Sequence, residues 1–377
     1  MNNLLSLPSP EVNGLFPDEY DKVNRLIIIG NGFDLAHGLK TSFKDFINDY
    51  LFEVLRKIKS RKNYEDSLIS FQTYYPVSIL RDLDNYPREK IVEFFQRLRT
   101  NERDSFVKYS SLLSDILSEV NQKKWVDIEL RFFKMLKDYR NDEESVKIIN
   151  QDMDFLKEKL KEYLIKVCKG HKLELIPEIK SQFKQVLKKK EAQPNTIKSD
   201  MKVASTCVLN FNYTSTPEEY MKGLKISNHI QIHGSLNGDN ISSQGLVFGF
   251  GDELDDDYLK FEKQENDDIF EHIKSFKYLH FQNYRNLLDF IESDPFQVHV
   301  YGHSLGLSDR TLLNTIFENR NCISIKLFYH KTDNGDDFER KTYAISRHFR
   351  SKEALRSKVV NKELSEPMGQ LMQKNNP

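Results

Sequence analysis

The apolar positions of this chain change period several times, and each change predicts an element. Arg25-Leu26-Ile27-Ile28-Ile29 is a continuous run of the kind an interior parallel strand needs, because such a strand is buried on both faces; Gly30-Asn31-Gly32 ends it. Phe43, Phe46, Ile47, Tyr50, Leu51, Val54, Leu55 and Ile58 then recur every three or four residues, the spacing of an amphipathic helix. Ser42 can cap that helix, with Asp45 near its positive end. From about 60 to 200 helical periodicity continues through a charge-rich stretch. Its stripes are Ile91, Phe94, Phe95 and Leu98, then Trp125, Ile128, Leu130 and Phe133, then Phe155, Leu156, Leu160, Tyr163, Leu164 and Val167. Lys188-Lys189-Lys190 reads as the solvated end of a helix.

Strands return near residue 203. Cys207-Val208-Leu209-Asn210-Phe211-Asn212, the alternating His229-Ile230-Gln231-Ile232-His233, the short Gly245-Leu246-Val247-Phe248-Gly249, Val298-His299-Val300-Tyr301 and Ile323-Ser324-Ile325-Lys326-Leu327-Phe328-Tyr329 are the expected strands. Helices are expected around Tyr284, Leu287, Leu288 and Ile291, and around Leu312, Leu313, Ile316 and Phe317, the second capped by Ser308 and Asp309. Strands alternating with helices imply an α/β fold with a parallel sheet. The first strand is cut off from the others by the helical block. The expected organisation is a leader over 1–24, a Rossmann-like sheet domain over 25–59 and 201–350, a large helical insertion over 60–200 after the first βα unit, and a peripheral charged tail over 351–377.

Composition narrows the class. A chain of 377 residues can build a sizeable core, and a formal net charge of -1 gives no global pull toward nucleic acid or membrane. No apolar run approaches the ~20 residues of a membrane helix. The start lacks the basic and apolar regions of a signal peptide. Cys168, Cys207 and Cys322 are too far apart for a zinc ribbon and read as reduced core thiols. A soluble, cytoplasmic protein without a metal is the expectation. The acidic run from Asp252 to Asp257 reads as a solvated loop before a cation site.

Candidate chemistry gathers where strands end. A strand, Gly30-x-Gly32 and a helix form a phosphate-loop arrangement, since glycine permits close backbone approach and a helix start offers N–H donors. A plain strand-to-helix turn needs glycine as well. The dehydrogenase fingerprint is not met: its third glycine would fall at Leu35, and no strand ending in an acid follows at about 20 residues. Asn212 and His233 end two other strands, and Gly302-His303-Ser304-Leu305-Gly306 follows a third. Parallel sheets bind ligands at those carboxyl ends. Read singly, Asn212 also suits a turn, His233 an ordinary hydrogen-bonded histidine, and Ser304 and Asp309 loop and cap chemistry.

In combination these segments resemble a known family. Gly30-Asn31-Gly32-Phe33-Asp34, with Gly38 beyond, is similar to the sirtuin nucleotide loop G-A-G-x-S, with Asp34 in place of the serine. Asn212-Tyr213-Thr214 resembles the sirtuin-like T-T-N-Y-D segment, with Thr214 in place of the aspartate. His233-Gly234 resembles the H-G motif and Gly302-His303-Ser304-Leu305 the G-T-S-L motif, with Asp309 fitting G-x-S-L-x-D. The wording from Ile29 to Leu39, with these segments and Trp125-Val126-Asp127-Ile128-Glu129, resembles the AbiH family of bacteriophage abortive infection proteins over most of 25–330.

That resemblance implies a diverged sirtuin-like Rossmann fold, a role in stopping phage spread, and NAD as ligand or as the substrate of a glycohydrolase. It implies Gly30, Asn31, Gly32, Phe33, Asp34, Gly302, His303, Ser304 and Asp309 around the nucleotide, with Asn212 orienting ribose or water and His233 as general base. A homo-oligomer and a phage-derived trigger are partners it leaves open; membrane and nucleic acid are not expected. A deacetylase would need a four-cysteine zinc module, which three scattered cysteines cannot build. Two alternatives stay open. One is a nucleotide sensor without turnover. The other is a serine hydrolase, because Gly302-x-Ser304-x-Gly306 matches a nucleophile elbow and Asp333, Asp336 or Asp337 and then His348 follow in triad order, although only about 70 residues remain after it.

Overall fold

The computed structural model describes residues 20–61, 63–73, 78–100, 105–119, 128–236, 246–255 and 257–371. The leader as far as residue 19, Trp125-Val126-Asp127 and Gly245 lie outside the described residues. The strands of interest are β1 Asn24–Ile29, β2 Asn63–Glu65, β3 Ile69–Thr73, β4 Ser105–Tyr109, β5 Thr206–Asn210, β6 Ile226–Gln231, β7 Phe296–Tyr301 and β8 Cys322–Phe328. Five of them form a parallel sheet in the order β6-β5-β1-β7-β8. β1 is central, pairing Ile28 with Leu209 on one side and with Val300 on the other. The fold is therefore α/β with a five-stranded parallel sheet and many helices.

Both faces of this sheet are covered, which is why its strands read as unbroken runs. Leu26, Ile28, Val298, Val300, Ile325 and Leu327 pack on the helices Gln282–Ser293, Arg310–Phe317 and Phe338–Ser346. Ile27, Ile29, Tyr301 and Phe328 face the helix Pro177–Phe183 and Met368. Arg25, the polar start of the first run, is also buried: its guanidinium donates to the carbonyl of Gln185 at 2.6 Å and to Gln297 Oε1 at 2.8 Å.

Two helices follow β1: α1 Asn31–Ala36 and α2 Phe43–Arg61. α2 starts as its spacing predicts, with the Asp45 amide donating to Ser42 Oγ at 3.1 Å. The apolar side of α2 packs with the helices Ile91–Thr100, Ser111–Glu119, Ile128–Tyr139 and Glu143–Lys169 in one core.

Several expectations are revised. The stretch between 60 and 200 is not purely helical, because β2, β3 and β4 form an antiparallel sheet in it. These strands are too short to stand out from a charged background. The lysine triplet does not close a helix; Lys189–Glu191 is a 3-10 turn whose Glu191 is buried. Leu246, Val247 and Phe248 are not strand. The tail is integrated at the sheet edge: the Val360 amide donates to Ile325 O at 2.9 Å and the Met368 amide to Tyr329 O at 2.8 Å. The acidic run is paired, with Asp252 buried against Arg310 at 3.2 Å and Asp255 against Lys137 at 3.0 Å. Among the described residues no helix is long and apolar enough to cross a membrane.

Candidate functional site

The chain leaves β1 toward β5 and β6 on one side and returns to β7 on the other. The sheet therefore has its switch point between β1 and β7, where open α/β sheets form a crevice at the strand ends. The two turns flanking this point, after Ile29 and after Tyr301, touch backbone to backbone. The Gly32 amide donates to Gly302 O at 2.8 Å, and the Gly30 amide to Tyr301 O at 3.0 Å. A Cβ on Gly30 would stand 2.4 Å from His303 Cα, and one on Gly32 would stand 2.8 Å from Gly302 Cα. Gly302 has φ +65, and a Cβ there would come to 2.1 Å from the Phe33 amide nitrogen. The glycines are required here by the contact between the turns.

This has consequences for the phosphate-loop reading. The Gly32 amide is spent on Gly302 and the Phe33 amide on Gly30 O at 2.8 Å. α1 has only 6 residues. Phe33 is fully buried, and its ring packs against Tyr220 and Phe183 in the core beneath one face of the sheet. The Asn31 side chain is engaged too, accepting from Thr41 Oγ1 at 2.6 Å.

Asn212 and Asp34 meet beside the turn. Asn212 Nδ2 donates to Gly30 O at 3.1 Å, and the Asn212 amide donates to Asn210 Oδ1 at 3.0 Å, so this asparagine is both a turn former and a strut to the glycine loop. Thr214 Oγ1 donates to Asp34 Oδ2 at 2.7 Å. Asp34 is completely enclosed, and its Oδ1 has no hydrogen-bond partner. Burial raises its carboxyl to about 6, with Thr214, Thr216 and Asn212 pulling the other way.

A charged cluster sits on the other side of the turn, centred on Asp309. Its Oδ1 lies 2.8 Å from Lys274 Nζ and 3.3 Å from His233 Nε2, and its Oδ2 lies 3.5 Å from His303 Nε2. Lys274 also pairs with Glu129 at 2.8 Å, and Glu129 accepts the Gly249 amide at 3.1 Å. Burial alone would raise the Asp309 carboxyl, but Lys274 and the two imidazoles outweigh it and hold the group well below the carboxylate range. Asp309 and Glu129 in turn outweigh burial on Lys274 and raise its ammonium. His303 Nδ1 accepts the Leu305 amide at 3.0 Å, which leaves the proton on Nε2, facing Asp309. His233 Nε2 also faces Tyr278 Oη at 3.2 Å. Phe211 wedges between the imidazoles, at 5.3 Å from His233 and 4.3 Å from His303. A cavity of about 200 Å³ borders the cluster at Tyr278 and includes Tyr284, Phe276 and Thr311; its lining does not reach the glycine turn.

The four segments singled out in the sequence therefore meet at one edge, in altered roles. Asp309 sits at the start of the helix Arg310–Phe317, yet its side chain makes no cap hydrogen bond there and serves the two histidines and Lys274. His233 is linked to the glycine turn through Asp309 and His303 and through Phe211. Ser304 is exposed. Among the described residues no triad forms around it: His348 Nε2 bonds the Leu305 carbonyl at 2.9 Å, Asp336 pairs with Lys362, Asp337 accepts the His330 amide, and Asp333 is exposed. Lys274, Tyr278 and Thr216 were missed, because a lone lysine, tyrosine or threonine carries no spacing signal. Glu129 stood inside a segment that had drawn notice only by resemblance.

These features define an α/β protein with a buried acid–imidazole–lysine cluster at the carboxyl edge of a parallel sheet. The family model described as bacteriophage abortive infection AbiH matches residues 26–331, and the chain belongs to that family. No curated protein and no solved structure matches it.

Proposed function

We propose that this abortive infection protein binds a nicotinamide dinucleotide at the carboxyl edge of its sheet and hydrolyses the nicotinamide–ribose bond. The observation that carries this reading is the convergence of Gly30, Asn212, His303, Asp309 and His233 on one edge. Two further points support it. Counted in their own chain order, the five strands run 3-2-1-4-5, the first five places of the six-stranded dinucleotide-binding order 3-2-1-4-5-6. The two departures from the sirtuin-like pattern, Asp34 and Thr214, are hydrogen-bonded to each other. Relative to that pattern, the acid and the hydroxyl stand in each other's segments.

In this reading the bond from ribose C1′ to the pyridinium nitrogen breaks, and its electron pair leaves with nicotinamide. A water oxygen bonds C1′ through an oxocarbenium-like state. His233, held by Asp309 and Tyr278, takes the proton of that water. Asn212 orients the ribose or the water. Incubation of purified protein with NAD should release nicotinamide, and Asn212→Ala or His233→Ala should slow this by about 100-fold or more. Variants as fast as the wild type would falsify the assignment.

A second reading, nucleotide binding without turnover, is favoured by the engagement of His233 Nε2 with Asp309 and Tyr278. It predicts intact nucleotide on the purified protein and no nicotinamide release. A phage-derived trigger and self-association belong to the same proposal, and repeating the assay with phage lysate addresses the first.

A further inference from the structure

Away from this edge, His272 occupies a position that its surroundings define closely. The Gly249 backbone presses against it: a Cβ on Gly249 would lie 1.9 Å from His272 O, and the Phe250 amide donates to that oxygen at 3.0 Å. The ring packs edge-on against Phe132 at 5.4 Å and is only 3 % exposed. Its Nε2 is buried without a hydrogen-bond partner and faces Asp154 Oδ1 at 3.8 Å. One ligand atom each from Asp154, Glu271 and His272 lie within 4.8 Å of one another.

Asn150 braces two of these three residues. Its Nδ2 donates to Glu271 Oε2 at 2.9 Å. Its backbone hydrogen-bonds the His272 ring. Because Nε2 is unpaired, that bond belongs to Nδ1, which leaves the Nε2 lone pair directed at the carboxylates. A histidine whose second nitrogen is committed to a backbone carbonyl, beside a carboxylate held by an amide, is the outer shell that metal-ligating residues carry. His299 and His348 are as deeply buried and also leave one nitrogen unpaired; what sets His272 apart among the described residues is that two carboxylate ligand atoms lie within 4.8 Å of its own.

We infer that Asp154, Glu271 and His272 form a binding site for a first-row divalent transition ion, with Zn2+ the best fit. One imidazole and two carboxylates match the nitrogen and oxygen donors such ions take, and water completes the four-coordinate shell. Ligands about 2.0–2.2 Å from zinc stand closer together than these atoms do, so the site contracts on binding. Glu271 is exposed and able to make that movement. Lys157, now paired with Asp154, releases it to the dication. The bound ion joins the helix Glu143–Lys169 to the segment that enters Lys274, so it stiffens the frame behind the Asp309 cluster without touching it.

The test uses the full chain, stripped with a chelator and titrated with Zn2+, with Co2+ as a second probe read by its visible absorption. One equivalent should bind, with Co2+ bands typical of a four-coordinate site. His272→Gln and Glu271→Gln should each weaken binding by about 10-fold or more; the latter changes an exposed residue and leaves the fold intact. Absence of stoichiometric binding, or binding undiminished in both variants, overturns the site. Nicotinamide release is not the readout, so the outcome stands apart from the proposed NAD chemistry.

Discussion

Among the described residues a lysine is buried between two carboxylates twice. Lys326 lies between Glu191 at 3.1 Å and Glu366 at 2.9 Å, and Lys274 lies between Glu129 and Asp309, both at 2.8 Å. The first trio sits in mid-sheet. Around it Gln297 receives Arg25 and His299, Ser324 closes onto the Glu191 carbonyl, and residues 183–191 and 366 roof it over. The second trio stands beyond the strand ends, where loops meet, and it alone adds two imidazoles sharing one carboxylate. Buried charge by itself therefore does not mark a site. The second trio differs in its place, at the carboxyl edge, where open α/β sheets take their ligands.

The largest effects should come from breaking each trio. Lys326→Met leaves Glu191 buried and unpaired and should cost about 3–5 kcal/mol in urea unfolding. Nicotinamide release per folded molecule should be unchanged. Lys274→Met should cost a similar amount and also lower turnover, because Asp309 loses its nearest cation. Equal turnover in the two variants would erase the distinction between the trios.

Asp34 provides the next comparison, a buried carboxyl held by the Thr214 hydroxyl and, among the described residues, by no cation. Its carboxyl titrates near 6 folded and near 3.8 unfolded. The folded state therefore holds more protons between those values, so stability falls as pH rises from about 4 to 6, and the loss persists above that window. Asp34→Asn removes the effect. Its stability relative to wild type should rise across that window by up to about 3 kcal/mol and stay level at pH 7. A difference that is flat with pH would show that Asp34 is not the group concerned.

The smallest effects compare two left-handed glycines. Gly302→Ala drives a methyl into the Phe33 amide and should cost about 2–3 kcal/mol together with any nucleotide binding. Gly38 has φ +78 with only His171 Cε1 at 3.9 Å near its Cβ position, so Gly38→Ala should cost about 1 kcal/mol of backbone strain and spare binding. Thermal unfolding with and without NAD separates the two.

Local patterns were enough to read the strands β1, β5, β6, β7 and β8, the helix α2 with its Ser42 cap, and the ordered set of turns at Gly30, Asn212, His233 and Gly302. Those signals depend on periods of two or 3.6 residues and on glycine and capping chemistry, all of which act within a few residues. Tertiary structure alone decided that Gly30 and Gly32 serve a neighbouring turn, that Phe33 points to the core, and that Asp309 leaves its helix to hold His233, His303 and Lys274. Apart from the contact of Asp309 with nearby His303, each of these is a contact between residues separated by tens to hundreds of positions. Its energy depends on burial and on partners that no local spacing encodes.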